Sequence, residues 1–160
     1  MGQILIGVAD FRVSRNFDDL LITYALGSCI AVTVFDAKAK VGGLLHFMLA
    51  DSSLDKQKAA IRPAMFADTG IPLLFKCCYQ MGAEKRRIRV KVAGGASIMD
   101  KENHFQIGQK NITAVRKIFW KNKVFVDGED TGGDFNRTVR LDIATGITRV
   151  SNSKGYEMVI

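Results

Sequence analysis

The segment Thr23-Tyr24-Ala25-Leu26-Gly27-Ser28-Cys29 places a thiol just after a run of strand-forming residues, and a histidine, His46, follows 17 residues later. A cysteine and a histidine that meet in space supply a nucleophile and its base, the pair needed to attack an amide or ester carbonyl through a covalent acyl intermediate. Gly27 permits unusual backbone angles at a sharp turn, and the N–H groups around Ser28 and Cys29 can converge on one point, as an oxyanion hole requires. The competing reading is structural. Isolated cysteines are usually buried and inert, and a histidine after Gly42-Gly43-Leu44-Leu45 can be a core residue with a backbone hydrogen bond. Residue pattern alone leaves both open. His104, in a polar loop, is a weaker candidate, and Ser28 lacks the G-x-S-x-G surroundings of a serine nucleophile. Neither a Walker loop nor a G-x-G-x-x-G run is present, so the glycine pairs read as turns rather than phosphate cradles.

For Cys29 and His46 to meet, the intervening chain must fold back on itself. Residues 4–9, 20–26, 30–35 and 41–48 are rich in β-branched or large apolar side chains and read as strands. Asp36-Ala37-Lys38-Ala39-Lys40 reads as a polar hairpin connection, so the strands on either side pair antiparallel. Cys29 then lies just before the first of them and His46 toward the end of the second, at the same end of the hairpin. Beyond a polar loop at 50–62, a helix is expected to start at Asp68 or Thr69, with Pro72 in its first turn and Gly82 at its end. Leu73, Leu74, Cys77 and Met81 recur at helical spacing, which assigns Cys77 to the buried stripe. A strand at 86–93, the Gly94-Gly95-Ala96 turn and a second helix from Gly108 come next. Ile112, Val115, Ile118 and Phe119 form that helix's apolar face, and Lys117, Lys121 and Lys123 complement its C-terminal pole. Strands at 124–126, 138–143 and 156–160 complete the pattern, with a turn at Gly132-Gly133. Strands in a run with two helices inserted predict an α+β fold with a mixed or antiparallel sheet.

The chain of 160 residues has the length of one domain, residues 1–160, and 48% hydrophobic with 24% charged residues is a globular composition. The N-terminus reads as a strand rather than a signal peptide, and no apolar run approaches bilayer-spanning length. Ile6 stands where the myristoylation pattern has Ser or Thr. Adjacent Cys77 and Cys78 rarely close an unstrained disulfide, so free thiols in a reducing, cytoplasmic compartment fit best. With two histidines and no CxxC or HExxH, no metal site is expected. The net charge of +7 implies attraction to something acidic. Its densest cluster, Lys85, Arg86, Arg87, Arg89 and Lys91, alternates with Ile88 and Val90 as a strand with one basic face. It lacks the interleaved aromatics of a nucleic-acid platform, so no nucleic-acid partner is expected.

Five ordered blocks carry a resemblance: LGSC at 26–29, GGLLHFML at 42–49, KVAGGASIM at 91–99, FQIGQKNITAV at 105–115 and DTGGDFNRTVRLDIATG at 130–146. Along nearly its whole length the sequence resembles the chemoreceptor glutamine deamidase family, CheD. The resemblance implies a papain-like thiol mechanism on a layered α+β sandwich similar to toxin-type cysteine deamidases. It assigns the nucleophile to Cys29, its histidine to His46 and the orienting hydroxyl to Thr23, with Gly27 and Ser28 at the oxyanion turn. Thr23 can accept the imidazole N–H and fix its tautomer, though it stabilises an imidazolium less than a carboxylate does. The implied activity is conversion of receptor glutamines to glutamates without a cofactor, and also hydrolysis of receptor glutamyl methyl esters. The implied partners are the cytoplasmic domains of methyl-accepting chemoreceptors and a CheC-type phosphatase. One departure is local: after His46 the chain continues Phe47-Met48-Leu49-Ala50-Asp51, where the family often has a proline.

Overall fold

The computed structural model describes residues 2–98 and 105–160. Among them the chain runs through β1 (Gly2–Leu5), β2 (Asp10–Ser14), β3 (Asp19–Leu26), β4 (Ile30–Asp36), β5 (Val41–Phe47), α1 (Lys56–Ile61), α2 (Ala67–Gln80) and β6 (Arg89–Gly94). It continues through α3 (Ile107–Lys121), β7 (Gly128–Thr131), β8 (Arg137–Asp142), β9 (Thr148–Ser151) and β10 (Glu157–Val159). The strands form two five-stranded sheets, ordered β2-β5-β4-β6-β7 and β1-β3-β8-β9-β10. Pairing is antiparallel except for β1 with β3 and β6 with β7, so the fold is α+β with two mixed sheets.

The predicted hairpin forms the centre of the first sheet, with Ile30 opposite Phe47 and Asp36 opposite Val41. Every residue of β4 and β5 is buried, because both faces of this sheet are covered. On one face Val32, Val34, Leu45 and Phe47 pack with Leu74 of α2 and Val115 of α3. On the other, Ala31 and Leu44 pack with Leu21, Leu26, Val139 and Leu141 of the second sheet. Full burial of a large apolar side chain contributes about 1.5–3 kcal/mol, so these two clusters are the main source of stability. Double coverage also explains why β4 and β5 lack the polar alternation of a half-exposed antiparallel strand.

Several elements differ from expectation. The strand expected at 4–9 ends at Leu5, the backbone turns over at Ala9 (φ 59°), and a separate strand, β2, continues along β5. Residues 124–126 are not a strand; β7 lies at 128–131, and β9 had no counterpart among the predicted strands. The polar loop at 50–62 contains α1, with the Asp55 side chain accepting from the Lys58 N–H at its start. Helix α2 begins at Ala67 rather than Asp68 or Thr69, which puts Pro72 in the second turn, on the exposed side. Proline has no N–H to donate to the Asp68 carbonyl one turn back, and both residues are exposed, so the lost hydrogen bond falls on the outer face. The buried stripe of α2 is Ala67, Gly70, Ile71, Leu74, Phe75 and Cys78. Cys78, not Cys77, is therefore the core thiol. Among the described residues no helix is long and apolar enough to cross a membrane.

The basic cluster is also only partly strand, since Arg86 and Arg87 lie in the turn before β6. Its charges are largely engaged: Arg87 with Asp36 and Glu84, Arg86 with Glu84, Arg89 with Asp127, Lys85 with the Asn122 carbonyl and Lys91 with the Ile160 carbonyl.

Candidate active site

The site begins with a bulge. Along β3, Thr23 stands opposite Val139 and Leu26 opposite Arg137, so the pairing absorbs an extra residue on β3. Ala25 takes it up in the left-handed region, φ 55°. A residue of this kind kinks a strand and redirects the chain beyond it. The sequence expectation had put the unusual backbone at Gly27, but Gly27 is not in the positive-φ region. What Gly27 supplies is room, since a Cβ there would stand 3.3 Å from Asn136 Oδ1.

The chain then passes through Ser28 and Cys29 into β4, and its carbonyls are all taken. Gly27 O accepts from the Ala96 N–H and Cys29 O from the Gly95 N–H, both at 2.9 Å. Ser28 O accepts from Asn111 Nδ2 at 2.9 Å. The 94–96 turn must approach closely to do this: a Cβ on Gly94, whose φ is +115°, would collide with the Cys29 carbonyl and Leu26. Among the described residues, no backbone carbonyl accepts from the N–H of Ser28 or Cys29.

Ala31 pairs directly with His46. Cys29, two residues before Ala31, is therefore the diagonal neighbour of His46, a relation that spans roughly 7–8 Å and is within reach of long side chains. The Cys29 side chain packs against the apolar cluster between the sheets and is half-buried. Among the described residues His46 Nε2 has no hydrogen-bond partner, so thiol and imidazole are not bonded to each other in this conformation. Catalytic hydrogen bonds commonly tighten only when substrate is bound.

The other ring nitrogen is tightly held. Thr23 Oγ1 lies 2.7 Å from His46 Nδ1 and 2.7 Å from the carbonyl of Ile6. A hydroxyl has one proton, and the Ile6 carbonyl can only accept, so the hydroxyl donates there and accepts from the Nδ1–H. That fixes the neutral tautomer with Nε2 unprotonated. Burial lowers the His46 pKa from 6.5 to about 4, so the ring is neutral at physiological pH. Burial also pushes the Cys29 thiol up, opposed by a hydrogen bond from its own backbone N–H. The pair at rest is thus a thiol and a neutral imidazole whose lone pair has no partner among the described residues.

The structure brings Cys29, His46, Thr23, Gly27 and Ser28 together at one end of the β4–β5 hairpin. His104 lies outside the described residues. Cys78, its pKa raised to about 12 chiefly by burial and secondarily by Cys77, is an inert core thiol. Sequence reasoning missed Asn111, which is 1% exposed and bonds to both Ser28 and Met48 carbonyls. The available signal was an amide in the apolar stripe of a helix. Among the described residues no group of three or more His, Cys, Asp or Glu side chains could hold a metal.

The family model described as CheD chemotactic sensory transduction matches residues 48–152. A Syntrophus aciditrophicus protein named "Probable chemoreceptor glutamine deamidase CheD 1" is 63% identical over 155 residues, covering 97% of each chain. The protein from Solibacter usitatus named "Probable chemoreceptor glutamine deamidase CheD" is 48% identical, covering 99% of this chain and 95% of its own. An archaeal relative from Pyrococcus horikoshii, with the same name, is 36% identical, covering 94% of this chain and 92% of its own. Among solved structures, a Neisseria meningitidis protein of family DUF152 superposes with a TM-score of 0.44 at 10% identity, over 83% of this chain and 63% of that one.

Proposed function

The chain belongs to the CheD family, and from that membership we propose that it is a chemoreceptor glutamine deamidase in which Cys29 is the nucleophile, His46 the base and Thr23 the residue that orients it. The observation that carries the assignment of roles is the hydrogen-bond chain Ile6 O, Thr23 Oγ1, His46 Nδ1, which leaves a buried, unprotonated Nε2 on the face of the sheet that Cys29 shares.

His46 Nε2 takes the proton from the Cys29 thiol as the sulfur attacks the glutamine side-chain carbonyl carbon. Because burial keeps the thiol protonated and the imidazole neutral, proton transfer accompanies attack rather than preceding it. The carbonyl π electrons move onto oxygen, and the resulting oxyanion is held by N–H groups at Ser28 and Cys29. The imidazolium returns its proton to the departing nitrogen, which leaves as ammonia when the C–N bond breaks. Amide ion is too basic to leave unassisted, so this acid step is required. Water, deprotonated by Nε2, then attacks the thioester, and glutamate and the thiol are released. A glutamyl methyl ester can take the same route with methanol as the leaving group. The mechanism uses no cofactor.

The substrate we propose is the cytoplasmic region of a methyl-accepting chemoreceptor, which places the enzyme in the cytoplasm. The net charge of +7 would steer it onto an acidic helical partner, and raising ionic strength should raise KM. Association with a CheC-type phosphatase is a separate property. It would use the surface rather than the thiol, so Cys29→Ala should retain it.

The test is incubation with glutamine-bearing receptor cytoplasmic fragments, reading ammonia and the Gln-to-Glu mass change. Conversion of specific glutamines supports the reading. A folded protein inactive on several receptors, with unchanged glutamines, rules it out.

A further inference from the structure

Asn111 is a buried polar residue to which the catalytic steps of Cys29 and His46 assign no role. It stands in the second turn of α3, in the stripe that also carries Gly108, Ile112 and Val115 into the core. Its Nδ2 donates to the carbonyls of Ser28, at 2.9 Å, and Met48, at 2.8 Å. Both partners can only accept, which fixes the orientation of the amide and leaves Oδ1 buried with no partner among the described residues. An unpaired buried acceptor is a cost to the fold, so stability alone is a poor account of an amide at this position.

The Ser28 carbonyl and the Cys29 N–H are the two ends of one planar trans peptide and point in opposite directions. Helix α3 packs on the helix-covered face of the central sheet, whereas the Cys29 side chain packs between the sheets. Drawing the Ser28 carbonyl toward α3 therefore turns the Cys29 N–H toward the side where the thiol lies. The second bond, to Met48, ties the same amide to the chain two residues beyond His46. The start of α3 lies flat on the 94–96 turn, where a Cβ on Gly108 would run into the carbonyls of Gly95 and Ala96, and this close seating delivers the amide.

We propose that Asn111 is a positioning residue for the oxyanion hole: by holding the Ser28 carbonyl, it aims the Cys29 N–H at the oxygen of the tetrahedral intermediate. The inference rests on the deamidase reading and adds the element that sets its transition-state geometry. An interaction made only in the transition state acts on kcat rather than KM.

The experiment compares wild type with Asn111→Ala in two reactions. One is deamidation of a receptor fragment, which builds an oxyanion. The other is alkylation of Cys29 by iodoacetamide, read by mass spectrometry, which displaces halide at a saturated carbon and builds none. Deamidation kcat should fall at least ~30-fold with KM within about threefold, given that loss of one oxyanion donor costs roughly 10²–10³. Cys29 alkylation should stay within about twofold of wild type. If Asn111→Ala does not fold, Asn111→Gln, which keeps the donors on a longer arm, is read by the same criteria. Parallel loss of alkylation and deamidation would mean that Asn111 merely holds the thiol in place and would overturn the inference, as would an unchanged kcat. A wild type that alkylates but releases no ammonia from any receptor breaks the deamidase reading itself, and the inference with it.

Discussion

The β4–β5 hairpin carries one fully buried titratable residue toward each end, and the protein treats them in opposite ways. At the closed end, Asp36 accepts from the N–H groups of Lys38, Ala39 and Glu84 and from Arg87 Nε. Burial alone would raise its pKa, but those hydrogen bonds and the Arg87 charge together hold it below the usual carboxylate value. At the open end, His46 has one ring nitrogen fixed through Thr23 and the other without a partner among the described residues. On the proposed mechanism, equal burial with unequal satisfaction separates a residue that holds the fold from one kept ready for chemistry. A complete polar network rigidifies, whereas an unoccupied acceptor in a dry site is costly unless a reacting group uses it.

Changes at the two ends should therefore fall on different observables. The largest effect expected is on activity from His46→Gln, which removes the proposed base while keeping a polar side chain: kcat should drop by roughly 10³-fold or more with little loss of stability at neutral pH. Steady-state kinetics and a thermal melt on the same preparation check this. Asp36→Ala should do the reverse. It leaves Arg87 with the Glu84 carboxylate and takes the acceptor from the Lys38, Ala39 and Glu84 N–H groups, for about 3–5 kcal/mol of stability, while kcat per folded molecule stays near wild type. Urea unfolding combined with assay of the folded fraction decides it; a large kcat loss would show that the two ends are not independent.

The third expectation concerns pH. The native His46 pKa, about 4, lies below the ordinary 6.5. Between these values the unfolded chain takes up a proton that the native state refuses, so stability falls as pH drops through this window and levels off below it. At 1.36 kcal/mol per unit, the contribution is about 3 kcal/mol, and it should vanish in His46→Gln. Unfolding free energies across pH 4–7 for both proteins test it. The smallest effect is expected from Thr23→Val, which keeps the shape but frees the tautomer and leaves the Ile6 carbonyl unpaired. A loss of roughly tenfold to a hundredfold in kcat, with KM little changed, would fit an orienting role; an unchanged kcat would mean that the ring needs no such support.

Much of this arrangement was legible in the sequence. The hairpin could be read because Asp36-Ala37-Lys38-Ala39-Lys40 is a polar break between two apolar runs, and that alone put Cys29 and His46 at one end. The left-handed residue could not be read, because Ala25 has no chemistry that marks a bulge; the fold imposes it. Cys77 and Cys78 are adjacent on a helix, about 100° apart around its axis, so reading the stripe through Leu73, Cys77 and Met81 instead of Ile71, Leu74, Phe75 and Cys78 exchanged core for half-exposed. Strand β9 and the displacement of β7 escaped because Gly128–Thr131 and Thr148–Ser151 are short and polar, and only pairing with their neighbours makes them strands. Asn111 was visible as a letter, but its role depends on carbonyls 63 and 83 residues away in sequence.

The most direct test of the central claim is ammonia release from one receptor fragment by wild type and by Cys29→Ala, with melting temperatures of both. The account predicts turnover by wild type, background release by Cys29→Ala, and melts that agree closely, because a half-buried thiol contributes little to the core. Ammonia release by a folded Cys29→Ala protein at a rate near that of wild type would contradict it.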